Sequence, residues 1–194
     1  MAHPITQAGA PVLRQKAKKV KSFGPPIEAL VTEMLEAMRA EDGLGLAASQ
    51  ISVPLRVIVI EMPAELDDDG KEIHPSELYV YCNPEIVEAS GEEEGPEGCL
   101  SVRGSVGQVK RATSVTVKGE DTKGRKIRIK AQGLLARAFQ HEIDHTNGIL
   151  FIDRVDSPEK LHRIQSDEEE AGDIVAETAA QARATHPAGD RPDI

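Results

Sequence analysis

Residues 132–148 read "QGLLARAFQHEIDHTNG". The spacing predicts a helix from about Gln132 to Asn147, because Leu134, Leu135, Ala138, Phe139 and His145 fall near one side. Gly148 is a natural stop. Within this helix, His141 and His145 stand four residues apart, roughly 400° around and about 6 Å along the axis, so their rings share one face. Two imidazoles placed this way can grip one metal ion, and Glu142 is angled beside them to hold or move the proton of a water. The flanking residues are apolar, so this helix is expected to be buried. Burying Glu142 and Asp144 without partners is costly. A metal site gives Glu142 a reason to be inside, and Arg154 is a candidate partner for Asp144.

A helix of this kind needs strands to bury it. Upstream, "PLRVIVIEM" (54–62) reads as a buried strand, and "LYVYCNPEIV" (78–87) as a second, interrupted at Pro84. The segment between them reads as an acidic, polar loop. "SVTVKGEDTKGRKIRIKA" (114–131) reads as two strands around a polar turn, and "ILFIDRV" (149–155) as a short extended segment. "GEEEGPEG" (91–98) reads as turn-rich. Residues 26–41 form an amphipathic helix in which Ile27, Leu30, Val31, Met34, Leu35 and Met38 share a face. Helices set apart from antiparallel-looking strands imply an α+β fold, with antiparallel sheets around the helix that carries HEIDH. The expected division is a catalytic domain over 1–156 and an acidic tail over 157–194, partly helical or disordered. That tail holds nine Asp and Glu against four Lys and Arg.

The bulk properties bound the function. The 194 residues suit one domain, with 39% hydrophobic but only 3% aromatic content, so the core rests on Val, Ile, Leu and Ala. A net charge of -10 argues against nucleic acid as the main partner, since phosphate binding needs clustered Lys and Arg. No segment is long and apolar enough to span a bilayer, and the first residues lack the pattern of a secretory signal. A cytoplasmic protein with two free thiols is the expectation. Cys82, among Tyr79, Val80 and Tyr81, reads as a core thiol. Cys99, in "EGCLS", follows a turn-rich approach that can aim its sulfur, and it is the expected third ligand in a site that keeps one position open. His3, His74, His162 and His186 lie in polar or terminal segments and read as surface residues.

"GLGLAASQ" (43–50), "EGCLS" (97–101) and "QHEIDH" (140–145), in this order, resemble the three signature motifs of the peptide deformylase family. The resemblance runs over roughly residues 10 to 156. It implies that Cys99, His141 and His145 bind a divalent ion, Fe2+ with Zn2+, Ni2+ or Co2+ as substitutes. It also implies that Glu142 is the general acid/base, and that Gln50 and the backbone N–H of Leu100 bind the formyl oxygen. The implied activity is removal of the formyl group from the N-terminal methionine of newly made proteins. The implied partners are formylated nascent peptides, with the ribosome as a further one. Gly43, Leu44 and Gly45 are placed to accept an extended peptide as an added strand, and Leu44, Leu134 and Ala138 to line a slot for the methionine side chain. Thr146, Arg103 and Val106 depart from residues usual in the family. Two other readings are an HExxH metalloprotease, which draws its third ligand from a downstream Glu, His or Asp, and a deformylase-like protein with weak or no turnover.

Overall fold

The computed structural model describes residues 3–67 and 69–164. The elements, in chain order, are α1 (Pro25–Ala40), β1 (Gly45–Ala47), β2 (Val57–Met62), β3 (Glu65–Leu66), β4 (Glu72–His74), β5 (Glu77–Ser90), β6 (Glu93–Gly98), β7 (Ser105–Arg111), β8 (Ser114–Glu120), β9 (Lys126–Gln132), α2 (Gly133–Thr146) and β10 (Leu161–Arg163). The fold is α+β, and all pairing between named strands is antiparallel.

The largest sheet has the order β1-β2-β5-β8-β9. Its strand β2 explains the unbroken run "VIVI". Successive side chains point to opposite faces. Val57 and Val59 pack with Ile27, Leu30, Val31, Met34 and Met38 of α1. Ile58 and Ile60 pack with Ala136, Phe139 and Ile143 of α2. Both faces are covered, so neither tolerates a polar residue, and the alternation expected of a half-exposed strand disappears. Tyr81 meets Phe139 edge-on at 5.1 Å and Tyr79 does so at 5.9 Å, which concentrates the few aromatic rings under α2.

A second sheet has the order β10-β7-β6, and β3 pairs with β4 alone. Several sequence expectations change here. "GEEEGPEG" is mostly strand β6, not a turn. Each of its residues from Glu93 to Gly98 pairs with β7. As an edge strand β6 can hold a proline and two glycines that a central strand would reject. The strand containing Pro84 is not interrupted. It runs from Glu77 to Ser90 with a register shift between Cys82 and Glu85, and this bulge absorbs the missing N–H of Pro84. Asn83, at φ 51, holds the bulge by accepting from Val20 N–H and donating to Val20 O and Glu120. Part of the acidic loop after β2 forms the β3–β4 pair. Phe151–Asp153 is a short 3-10 helix rather than extended chain, with Asp153 accepting from Leu150 N–H. Of the acidic tail, Leu161–Arg163 joins β7 as β10, while residues 165–194 lie outside the described residues.

Candidate metal centre

Three elements converge on one point. The first is α2, which buries Glu142 and His145 and leaves His141 partly exposed. The second is the turn after β6, which carries Cys99. The third is the segment from Gly43 to Ile51, which buries Gln50 to 1% exposure. Cys99 Sγ lies 3.3 Å from His145 Nε2, and His145 Nε2 lies 3.2 Å from His141 Nε2. All three ligand atoms fall within 4.8 Å of one another, and they form the group of this kind found among the described residues. A tetrahedral ion with metal–nitrogen about 2.0 Å and metal–sulfur about 2.3 Å sets its ligands about 3.3–3.6 Å apart. The donor set therefore fits a borderline divalent ion in both spacing and chemistry. A further observation agrees. Glu142 Oε2 is buried without a hydrogen-bond partner among the described residues, a costly state unless an ion's water shares the site.

The other ring nitrogen of His141 decides its orientation. Nδ1 lies 2.9 Å from Glu97 Oε2, which turns Nε2 toward the thiol. Glu97 is itself held by Arg111 through Nε at 2.8 Å and Nη2 at 3.0 Å, and by Arg137 Nη1 at 2.9 Å. Arg111 also donates to Asp144 at 2.6 Å, and Arg154 donates to the same carboxylate at 2.7 and 3.0 Å. The expected partner of Asp144 is thus present, and Arg111 is a second one. Breaking a buried set of this kind by removing one partner costs about 3–5 kcal/mol, because a charge is left uncompensated.

Burial opposes ionisation of Glu97, yet His141 and Arg111 outweigh it and hold the carboxyl down at about 2, against an ordinary 4.5. Burial also opposes the charge on Arg111, but Glu97 and Asp144 keep it above its ordinary range. Glu142 goes the other way. Burial pushes it up to about 7, with His141 and Arg111 opposing and Glu97 adding to the rise. A carboxyl group near neutrality can both take and return a proton. Burial, with His141 and Arg111 beside it, holds His145 well below its ordinary value.

The depressed Glu97 predicts acid sensitivity. Its folded-state pKa lies below the unfolded one, so its stabilisation is complete above about 4.5 and is lost as pH falls toward about 2. Thermal unfolding of the metal-free protein is expected to weaken steadily across that window. Glu97→Gln should show a lower midpoint at pH 6 and a flatter slope below 4.5. Equal slopes for both proteins would remove Glu97 as the source.

Gln50 is oriented from its oxygen end. Its Oε1 accepts from Ala47 N–H at 2.8 Å, so Nε2 points at the site, 3.5 Å from Cys99 Sγ and 3.1 Å from Ser101 Oγ. Leu100 N–H has no hydrogen-bond partner among the described residues. Gly45 is required by contact with α2. A Cβ there would stand 2.6 Å from Glu142 Oε1. At Gly43 it would stand 2.7 Å from Leu100 Cδ1. The glycines let residues 43–45 lie directly against the Glu142 carboxylate and the Cys99 turn. β1 is an edge of its sheet, and β6 is an edge of the second sheet. Leu44 packs in the same cluster as Ala138, whereas Leu134 is half-buried and lies outside both core clusters.

Cys82 is fully buried, and burial, with Glu120 and Asp121, pushes its thiol up to about 11. His3, His74 and His162 are exposed, and His186 lies outside the described residues. Thr146 is buried and donates its hydroxyl to Ile143 O at 2.7 Å, so a polar residue at that position is satisfied. Arg103 is exposed and pairs with Glu41 at 2.7 Å. Val106 sits in β7 opposite Gly98 and His162. Sequence reasoning missed Glu97, although it stands two residues before Cys99 on extended chain, where i and i+2 share a face. It also missed Arg111 and Arg137, for which no local signal exists.

A family model described as polypeptide deformylase matches residues 2–161. The peptide deformylase of Thermomicrobium roseum is 44% identical over 174 residues, covering 90% of this chain and 97% of that one. That of Halothermothrix orenii is 49% identical over 151 residues, covering 78% and 92%. Among solved structures, a peptide deformylase from Legionella pneumophila superimposes with a TM-score of 0.71 at 38% identity, covering 96% of this chain and 100% of that one. A class I type b peptide deformylase from Acinetobacter baumannii, solved with Met-Ala-Ser bound, gives 0.71 at 34% identity, covering 80% and 99%.

Proposed function

The chain belongs to the peptide deformylase family, and on that premise we propose that Cys99, His141 and His145 hold one divalent ion with Glu142, Gln50 and Leu100 arranged around it. The protein is a metal-dependent hydrolase that takes the formyl group from the N-terminal formyl-methionine of newly made proteins and releases formate. The family match removes the metalloprotease reading. The observation that carries the site assignment is the convergence of one sulfur and two imidazole nitrogens beside a buried carboxylate. Ferrous iron is our proposed ion in the cell, with zinc, nickel or cobalt as substitutes. No helix of the described residues is long and apolar enough to cross a membrane. Cytoplasmic residence, contact with the ribosome and a catalytic domain over 1–156 followed by a separate acidic tail are parts of the same proposal. So is the central placing of the HEIDH helix, with α1 as an amphipathic flank.

When bound, a divalent ion in this set supplies a Lewis acid that acidifies water and draws charge from the formyl oxygen. The chain supplies the rest. Glu142 takes a proton from the attacking water on its carboxylate and returns it to the nitrogen of the leaving methionine. Gln50 Nε2 and Leu100 N–H donate to the formyl oxygen as negative charge grows on it. Gln50 is held by Ala47 N–H at its Oε1, and Leu100 N–H makes no hydrogen bond among the described residues, so it needs to break none to reach the oxygen. Gly43, Leu44 and Gly45 present the free edge of β1 to an extended peptide. The tripeptide Met-Ala-Ser held by the Acinetobacter relative supports an occupant of that kind. Leu44, Leu134 and Ala138 border the slot for the methionine side chain.

The test is metal analysis of anaerobically purified protein, paired with steady-state assay of formyl-Met-Ala peptides. One equivalent of iron per chain and release of formate are expected. Activity of the iron form should decay in air faster than that of the nickel form, since an iron-bound thiolate is open to oxidation. A fully loaded protein without turnover would overturn the assignment.

A further inference from the structure

Residues 5–8 run behind the two groups assigned to the formyl oxygen, and they touch both. Thr6 N–H donates to Gln50 O at 2.8 Å. Gln7 Nε2 donates to Leu100 O at 3.0 Å and to Ile5 O at 3.2 Å. Ala8 N–H donates to Ser101 O at 2.7 Å. Thr6 Oγ1 lies 2.8 Å from Ser52 Oγ, which ties the same segment to the end of the Gln50 turn. Ile5, 7% exposed, anchors the segment in the core shared with α1.

These contacts bear on a defined atom. The direction of Leu100 N–H depends on the peptide planes on either side of Leu100. Cys99 O, in the plane that contains this N–H, accepts from Val102 N–H at 2.9 Å. Leu100 O, in the next plane, accepts from Gln7, and Ser101 O accepts from Ala8. Three consecutive carbonyls are therefore fixed, and the one N–H between them that makes no bond among the described residues is the one assigned to the formyl oxygen. Among the described residues, Leu100 O is the one of the three held by a side chain, and that side chain is exposed and outside the core.

We infer that residues 5–8 brace the oxyanion donors, and that Gln7 is a positioning residue that holds the Leu100 peptide so that its N–H meets the formyl oxygen in the transition state. The inference rests on the role given to Leu100 above. Gln7 touches no reacting atom. Its effect falls on kcat, because the donors gain strength only as charge develops on the oxygen.

The test compares Gln7→Met, which keeps reach and loses the donor, with Gln7→Arg, which keeps a donor of sufficient reach. Both are assayed as the nickel-loaded full chain on formyl-Met-Ala. Gln7→Met is expected to lower kcat about fivefold, the factor carried by one neutral hydrogen bond, with KM and metal content unchanged. Gln7→Arg should keep most of the wild-type kcat. A second readout is 15N relaxation of the Leu100 amide in the zinc-loaded protein. Its order parameter should drop from a rigid value of about 0.85 in Gln7→Met only. Unchanged kcat in Gln7→Met, or a rise in KM at constant kcat, would overturn the inference. So would a less stable variant whose Leu100 amide is as rigid as before. Wild-type protein without turnover would sink the functional reading instead, and the relaxation comparison would still decide the brace.

Discussion

Glu142→Ala is expected to keep its metal and lose turnover by about two to four orders of magnitude. The carboxylate is not among the three clustered ligand atoms, so the ion does not depend on it. It is buried against Gly45, and burial pushes its pKa up to about 7, which suits a group that must accept a proton and give it back. Glu142→Gln is the sharper variant, because it keeps size and loses the titrating group. Both variants should bind one equivalent of ion, with kcat depressed far more than KM is altered. A variant of either kind that turns over at more than about a tenth of the wild-type rate would show that another group moves the proton. Loss of metal from Glu142→Gln would show instead that Glu142 is a ligand.

Cys99→Ala is expected to lose the ion and, with it, all deformylase activity. As a ligand, Cys99 would be the one anionic donor of the set. Taking it away leaves two imidazoles at i and i+4, a pair that grips weakly by itself. The fall in affinity should exceed the 10- to 100-fold that accompanies loss of an outer-shell partner. Cys82→Ala is the control. That thiol is buried, is pushed up to about 11 and plays no part in the site, so metal content should not change. If Cys99→Ala still binds one equivalent of nickel as tightly as the parent protein, the sulfur is not a ligand and the site assignment falls.

The two variants probe different levels of legibility. Helical spacing alone placed His141, His145 and Glu142 together, because a helix turns a four-residue step into a shared face. β2 and the β8–β9 hairpin were legible for a similar reason, since strands and turns are written in local residue choice. β6 was not. Its glycines and proline carry a turn signature, and only pairing with β7 makes the segment a strand. Glu97, Arg111 and Arg137 form the support behind His141 from three elements, and no periodicity links them.

From residue order alone came the candidate chemistry: a thiol, two imidazoles, a carboxylate and a side-chain amide in three short motifs. Tertiary structure decided what those groups can do. It brought Cys99 to 3.3 Å from His145 across 46 positions of chain, turned His141 by a carboxylate at 2.9 Å, and set residues 5–8 against the Leu100 turn. The physical reason is range. Backbone sterics and periodicity act over a few residues, whereas burial, pKa and ion pairing depend on which distant segments the closing core brings into contact.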